Sequence, residues 1–282
     1  MAEPASREYR LRSADGHAFN LMAVVPAAPR AVALWLPAMG VPARHYLPLA
    51  QALAASGIAS YLHEWRGIGS SDRRAARDCD WGYRQLLLDD IPASLAQLRA
   101  LHPHGELVLG GHSLGGQLAA CMLGLQPALA GRAWLVASGS PHASGFPAPI
   151  RHGLPLAYHA MPAAAALMGR FPGRALRFAG NEARGVISDW ARTARSGRYV
   201  VPRIEQDIEA GMRQAGGRAL GITLDRDWLA PQASLQVLLD KLPGMQARRM
   251  QLDAHALGAP ADHFRWMRHP GAIAAALAAD LD

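Results

Sequence analysis

Cysteine is nearly absent: Cys79 and Cys121 are the two in 282 residues, which excludes a disulfide framework. Lysine is scarcer still, with Lys241 alone, so the excess of 7 basic residues (29 against 22 acidic) is carried by arginine. Those arginines are scattered in small groups such as Arg73/Arg74/Arg77 and Arg248/Arg249, and alanine is abundant, a pattern of coding bias rather than of a binding surface. No basic stripe interleaved with aromatics occurs, so no nucleic acid partner is expected. Long apolar runs are missing too. Ala163–Met168 and Ala272–Ala279 fall far short of the ~20 residues that span a bilayer, so no integral membrane segment is expected. The opening Met1-Ala2-Glu3-Pro4 has neither a basic n-region nor an apolar h-region, so no secretory signal is expected there and the expected location is the cytoplasm. No phosphate loop or dinucleotide fingerprint is present, His63-Glu64 lacks a second histidine at helical spacing, and no Cys/His cluster has ligand spacing. Neither a cofactor nor a metal is expected.

What is present is apolar: half of the residues, enough for one sizeable core with room for an insertion. Residues 7–12 and 17–25 read as strands joined by an Asp15-Gly16 hairpin turn. Ala31 to Leu36 is a continuous apolar run, as expected of a strand buried on both faces. A helix carrying Tyr46, Leu49, Ala50 and Leu53 on one face follows, stopped by Gly57; then come a strand at Ile58–Leu62 and a helix over about 81–100 that Pro92 should bend. Ala133–Ala137 reads as the next strand. The rhythm then stops. From Pro141 to about Gly217 only pieces of helix are expected, near 155–168, 185–195 and 203–214, before strands return at Ala219–Leu224 and near 249–252 and a helix closes the chain over about 264–281. The expected fold class is therefore α/β, a mostly parallel central sheet with helices on both faces. Residues 1–140 and 218–282 would form its core and 141–217 an inserted helical cap.

The chemistry centres on Glu106 to Gln117, which reads strand, crowded glycines, helix. Gly111-His112-Ser113-Leu114-Gly115 fits a nucleophile elbow, a strained turn that lifts a serine hydroxyl above the carboxyl end of a strand. The start of the following helix favours developing negative charge at Ser113. A serine needs a base, and the base needs a carboxylate to hold its tautomer. In this architecture the order is serine, acid, histidine. The acid is Asp227 or Asp225, with Asp227 favoured because Asp225 sits close enough to the strand end to serve the turn. The end of the preceding strand, Ser138-Gly139-Ser140-Pro141, has no carboxylate. His263 is favoured as base over His255 and His269, the other histidines after the last strand. One oxyanion donor is expected from the Leu114 N–H and a second from Met39, with Ala38 open as the alternative.

These residues resemble the α/β-hydrolase superfamily over nearly the whole chain. More narrowly, Gly111-His112-Ser113-Leu114-Gly115-Gly116-Gln117, Trp65-Arg66-Gly67-Ile68-Gly69-Ser70-Ser71, Phe171-Pro172-Gly173-Arg174, Asp189-Trp190 and His263-Phe264 resemble a bacterial group of predicted α/β hydrolases near the serine aminopeptidase and monoacylglycerol lipase-like branch. Two positions depart from the pattern: Pro37-Ala38 stand where many members have His-Gly, and Glu64 where an aspartate is common. The resemblance implies a serine hydrolase, commonly esterase-like, with a helical cap. The expected partner is a small, largely apolar acyl substrate, with Phe146, Tyr158, Met161, Met168, Phe171 and Trp190 of the cap suggesting an apolar pocket without individual assignments. Acyl transfer or thioester cleavage by the same triad is the alternative chemistry. A ligand-binding protein on a hydrolase scaffold is the alternative class.

Overall fold

Eight strands pair into one sheet in the computed structural model, which describes residues 5–176 and 178–282. The opening tetrapeptide read above for a secretory signal lies outside them. The strands are β1 (Ala5–Arg12), β2 (Ala18–Val25), β3 (Ala31–Leu36), β4 (Ile58–Leu62), β5 (Leu107–His112), β6 (Arg132–Val136), β7 (Gly217–Leu224) and β8 (Met245–Leu252). Their order is β1-β2-β4-β3-β5-β6-β7-β8. β1 and β2 form an antiparallel hairpin, β2 runs antiparallel to β4, and every pairing from β4 to β8 is parallel. The fold is α/β-hydrolase. The order reverses between β3 and β5, where crossovers diverge to opposite sides and open a crevice at the carboxyl ends of the strands. Both Pro37–Gly40 and Ser113 leave the sheet there.

Pleating sorts the core. On one face Leu34, Leu36, Leu109 and Leu135 pack beneath Leu87, Ile91 and Leu95 of the helical stretch 83–101 and beneath α3 (Leu114–Leu125). On the other, Trp35, Val108, Trp134, Val136 and Ile222 pack against α1 (Leu47–Ala55) and α8 (Gly271–Ala279). The stretch 83–101, α2, is interrupted beside Pro92. Pro92 has no N–H and its ring crowds the carbonyl four residues back. The chain answers by widening one turn, so that Leu86–Asp90 is π-helical and the Ile91 N–H reaches Leu86 O, five residues back.

Arg66 fastens this helix to the hairpin. Its guanidinium donates to Asp90 (2.7 and 2.9 Å) and to the turn residue Asp15 (2.6 and 3.0 Å), while His17 Nδ1 lies 3.0 Å from Asp90. Burial would push the Asp90 carboxyl up, but the hydrogen bonds from His17 and Arg66 outweigh it and hold that group below the usual carboxylate range. Glu64, the departure noted in the sequence, is a loop brace. Its two oxygens accept from the N–H groups of Ala43 (2.9 Å) and Ser70 (3.2 Å).

Between β6 and β7 lie α4 (Ala148–Met168), α5 (Arg184–Ser196) and α6 (Ile208–Met212), with a two-residue antiparallel pairing of Phe171–Pro172 with Asn181–Glu182. α4 begins seven residues before the expected 155, because prolines that stop a helix in sequence patterns are accommodated here. Pro162 cannot donate to the Tyr158 carbonyl, and Arg195 of α5 supplies that bond instead (2.6 Å). α7 (Gln232–Leu239) joins β7 to β8. The expected closing helix is split: a tight turn at Arg265–Arg268 precedes α8, with Pro270 between them. No helix among the described residues is long and apolar enough to cross a membrane.

Candidate active site

Ser113 occupies a backbone conformation that side chains rarely adopt, with φ 54° and ψ −118°. Such strain persists only where its surroundings impose it. Here they do. A Cβ on Gly111 would come within 2.3 Å of the Gly115 carbonyl carbon, and one on Gly115 within 1.9 Å of the Leu36 oxygen, so helix α3 starts in direct contact with β5 and with the end of β3. The Ser113 N–H donates to Val136 O (3.2 Å), and the Ser138 hydroxyl donates to Ser113 O (2.7 Å).

The structure brings His263 and Asp227 together and leaves their rivals apart. His263 Nδ1 lies 2.7 Å from Asp227 Oδ2, and both side chains are buried. The other Asp227 oxygen accepts from the N–H groups of Leu229 (2.9 Å) and Ala230 (3.1 Å), so the carboxylate is held from both sides. Asp225, His255 and His269 are exposed. With Nδ1 committed to Asp227, His263 keeps Nε2 for the cavity that it lines together with Ser113.

The loop after β3 is pinned at both ends of one peptide group, Pro37–Ala38. Trp65 Nε1 donates to Pro37 O (2.9 Å), and the Ala38 N–H donates to the Tyr46 hydroxyl (2.9 Å). That hydroxyl is 2.8 Å from His112 Nδ1, and both rings are fully buried. Burial pushes the phenol's ionisation far up and the imidazole's far down, so both are neutral. The hydroxyl oxygen accepts from Ala38 and is at the same time hydrogen-bonded to His112 Nδ1. The result is a relay from the loop to the residue before Ser113. It occupies the Ala38 N–H and leaves those of Met39 and Leu114 without an acceptor among the described residues. The sequence pattern placed Tyr46 only on a helix face; its contact with His112 spans 66 residues and has no signal in the sequence.

A cavity of about 490 Å³ opens above Ser113. Ala38, Met39, Leu114, Gln117, Trp228, His263 and Phe264 line it from the sheet side. Phe146, Tyr158, Met161, Phe171 and Trp190 line it from the segment between β6 and β7. Met168, expected among them, is instead 57% exposed, because it points away at the last turn of α4. Leu176 and Phe178, unmarked in the sequence, complete that wall. Tyr158 spends its hydroxyl on the Pro141 carbonyl, so it presents its ring to the cavity. No three His, Cys, Asp or Glu side chains among the described residues are grouped to hold a metal ion.

Residues 27–189 match the family described as serine aminopeptidase, S33. No curated protein matches the sequence. Among solved structures, a hydrolase from Pseudomonas aeruginosa superposes with a TM-score of 0.65 at 15% identity over 98% of each chain. A thermophilic esterase from Thermogutta terrifontis gives 0.65 at 13% over 98% of each. An esterase from Pyrococcus furiosus gives 0.60 at 13%, covering 99% of this chain and 91% of that one. At such identities the likeness is one of fold.

Proposed function

The chain belongs to the serine aminopeptidase S33 family of α/β hydrolases, and on that premise we propose that it is a serine hydrolase cleaving a carboxylic ester or related acyl bond of a small, largely apolar substrate. The observation that carries the reading is the 2.7 Å His263–Asp227 pair facing the same cavity as a strained Ser113. Ser113 Oγ bonds to the substrate carbonyl carbon and gives its proton to His263 Nε2, while the carbonyl π pair moves to oxygen. The N–H groups of Met39 and Leu114 hold that oxyanion. Collapse breaks the bond to the leaving alkoxide, which takes the proton from His263. Water repeats the sequence on the acyl-enzyme, releasing the acid and restoring the Ser113 proton. Asp227 keeps the Nδ1–H of His263 oriented throughout.

Residues 141–217 act as the cap that walls the acyl pocket. None of the described residues lining the cavity is acidic. A free α-ammonium would therefore enter without a counter-charge, at a desolvation cost that favours neutral acyl groups over amino termini. The test is labelling with a fluorophosphonate probe together with turnover of an ester series graded by acyl length, on wild type and Ser113→Ala. We expect a Ser113 adduct and a loss of several orders of magnitude in turnover on mutation. Turnover that survives Ser113→Ala rejects the mechanism. Product analysis with added alcohols or thiols separates hydrolysis from acyl transfer.

A further inference from the structure

Gln117 lies in the first turn of α3, its N–H donating to Ser113 O (3.3 Å), and both residues line the same cavity. Its side chain lines the cavity, the residue is only 5% exposed, and its Oε1 has no hydrogen-bond partner among the described residues. Buried carboxamides almost always have partners. A leucine or methionine would fill this wall without stranding a polar group. Turning the carboxamide exchanges that buried oxygen with the Nε2 end, so the stranded group points to a partner that arrives with the substrate.

We propose that Gln117 is a substrate-recognition residue, and that the preferred substrate is an ester bearing a neutral hydroxyl within a few bonds of the scissile carbonyl. This rests on the serine-hydrolase reading of the same site. The hydroxyl follows from chemistry. A carboxamide offers one donor and one acceptor end, which it can exchange by rotation, and a hydroxyl needs both. An ionised group is disfavoured, since one neutral amide in an apolar wall does not replace its hydration. The proximity follows from the backbone hydrogen bond that ties Gln117 to Ser113 and from the cavity wall they share.

The hydroxyl can sit on the acyl or the alcohol side, and three esters distinguish these: ethyl octanoate, ethyl 3-hydroxyoctanoate and 2-hydroxyethyl octanoate. Each is assayed with wild type, Gln117→Leu and, should that variant fold poorly, Gln117→Met. Wild type should favour one hydroxylated ester over ethyl octanoate by about tenfold or more in kcat/KM, because a site built to hydrogen-bond a group rejects the analogue lacking it. In the variant that ratio should fall to about one. The ratio is taken within one protein, so a general loss of activity does not disturb it. Ester turnover without a hydroxyl preference, or a preference that survives Gln117→Leu, overturns the role of Gln117 and leaves the hydrolase reading intact. No turnover of any ester, with no fluorophosphonate adduct at Ser113, rejects both.

Discussion

Tyr46 acts at the scale of a single hydroxyl. By accepting from the Ala38 N–H and hydrogen-bonding to His112, it sets the orientation of the peptide just before the N–H of Met39, the proposed oxyanion donor. Tyr46→Phe keeps the ring packing against Trp35 and Trp266 while removing the relay. The expected result is a fall in kcat of about 10–100-fold with KM little changed, since the lost alignment matters to the oxyanion and not to the bound ester. Steady-state kinetics on a chromogenic ester, with a thermal melt to confirm folding, checks it. An equal loss through KM would place Tyr46 in substrate binding instead.

Single elements show how local sequence rules bend without breaking. Pro92 did disturb its helix, through a wider turn, and the carbonyl that Pro162 leaves free found Arg195 on another helix. The hairpin and α2 are joined by Arg66, whose guanidinium is 3% exposed against a fully buried Asp90. Arg66→Met would strand that carboxylate with only His17 beside it. A loss of about 3–5 kcal/mol is expected, the usual cost of removing one partner from a buried ion pair. A shifted urea midpoint with an unchanged slope would register it. A loss below about 1 kcal/mol would mean that water reaches Asp90 and that the clamp is dispensable.

For the molecule as a whole, Glu182 links stability to pH. It is buried where Asn181–Glu182 pairs with Phe171–Pro172. Burial pushes its carboxyl up from 4.5 to about 7, against a hydrogen bond from the Gly180 N–H and the charge of Arg174. The folded state therefore holds the proton more tightly than the unfolded chain. Stability from this group is complete below about pH 4.5, declines as pH rises through about 7, and is flat above. Glu182→Gln keeps the acceptor for Gly180 and removes the charge. It should melt several degrees higher than wild type at pH 8, with the gap closing toward pH 4.5. Melting curves across that range decide it; a gap independent of pH would assign the effect to packing.

Sequence alone determined the parallel sheet, since continuous apolar strands alternating with amphipathic helices have no other economical burial. It also determined the elbow, because Gly111-His112-Ser113-Leu114-Gly115 carries its steric requirements within five residues. Chain order narrowed the candidate acid and base to a few positions each. Only the tertiary structure brings one pair into contact: Asp227 and His263 are 36 residues apart in sequence, and what joins them is the crossing of two loops at one sheet edge. The Tyr46–His112 relay and the unpartnered Gln117 belong to that same level. Hydrogen-bond partners and burial are properties of distances between remote segments, and no periodicity in the chain encodes them.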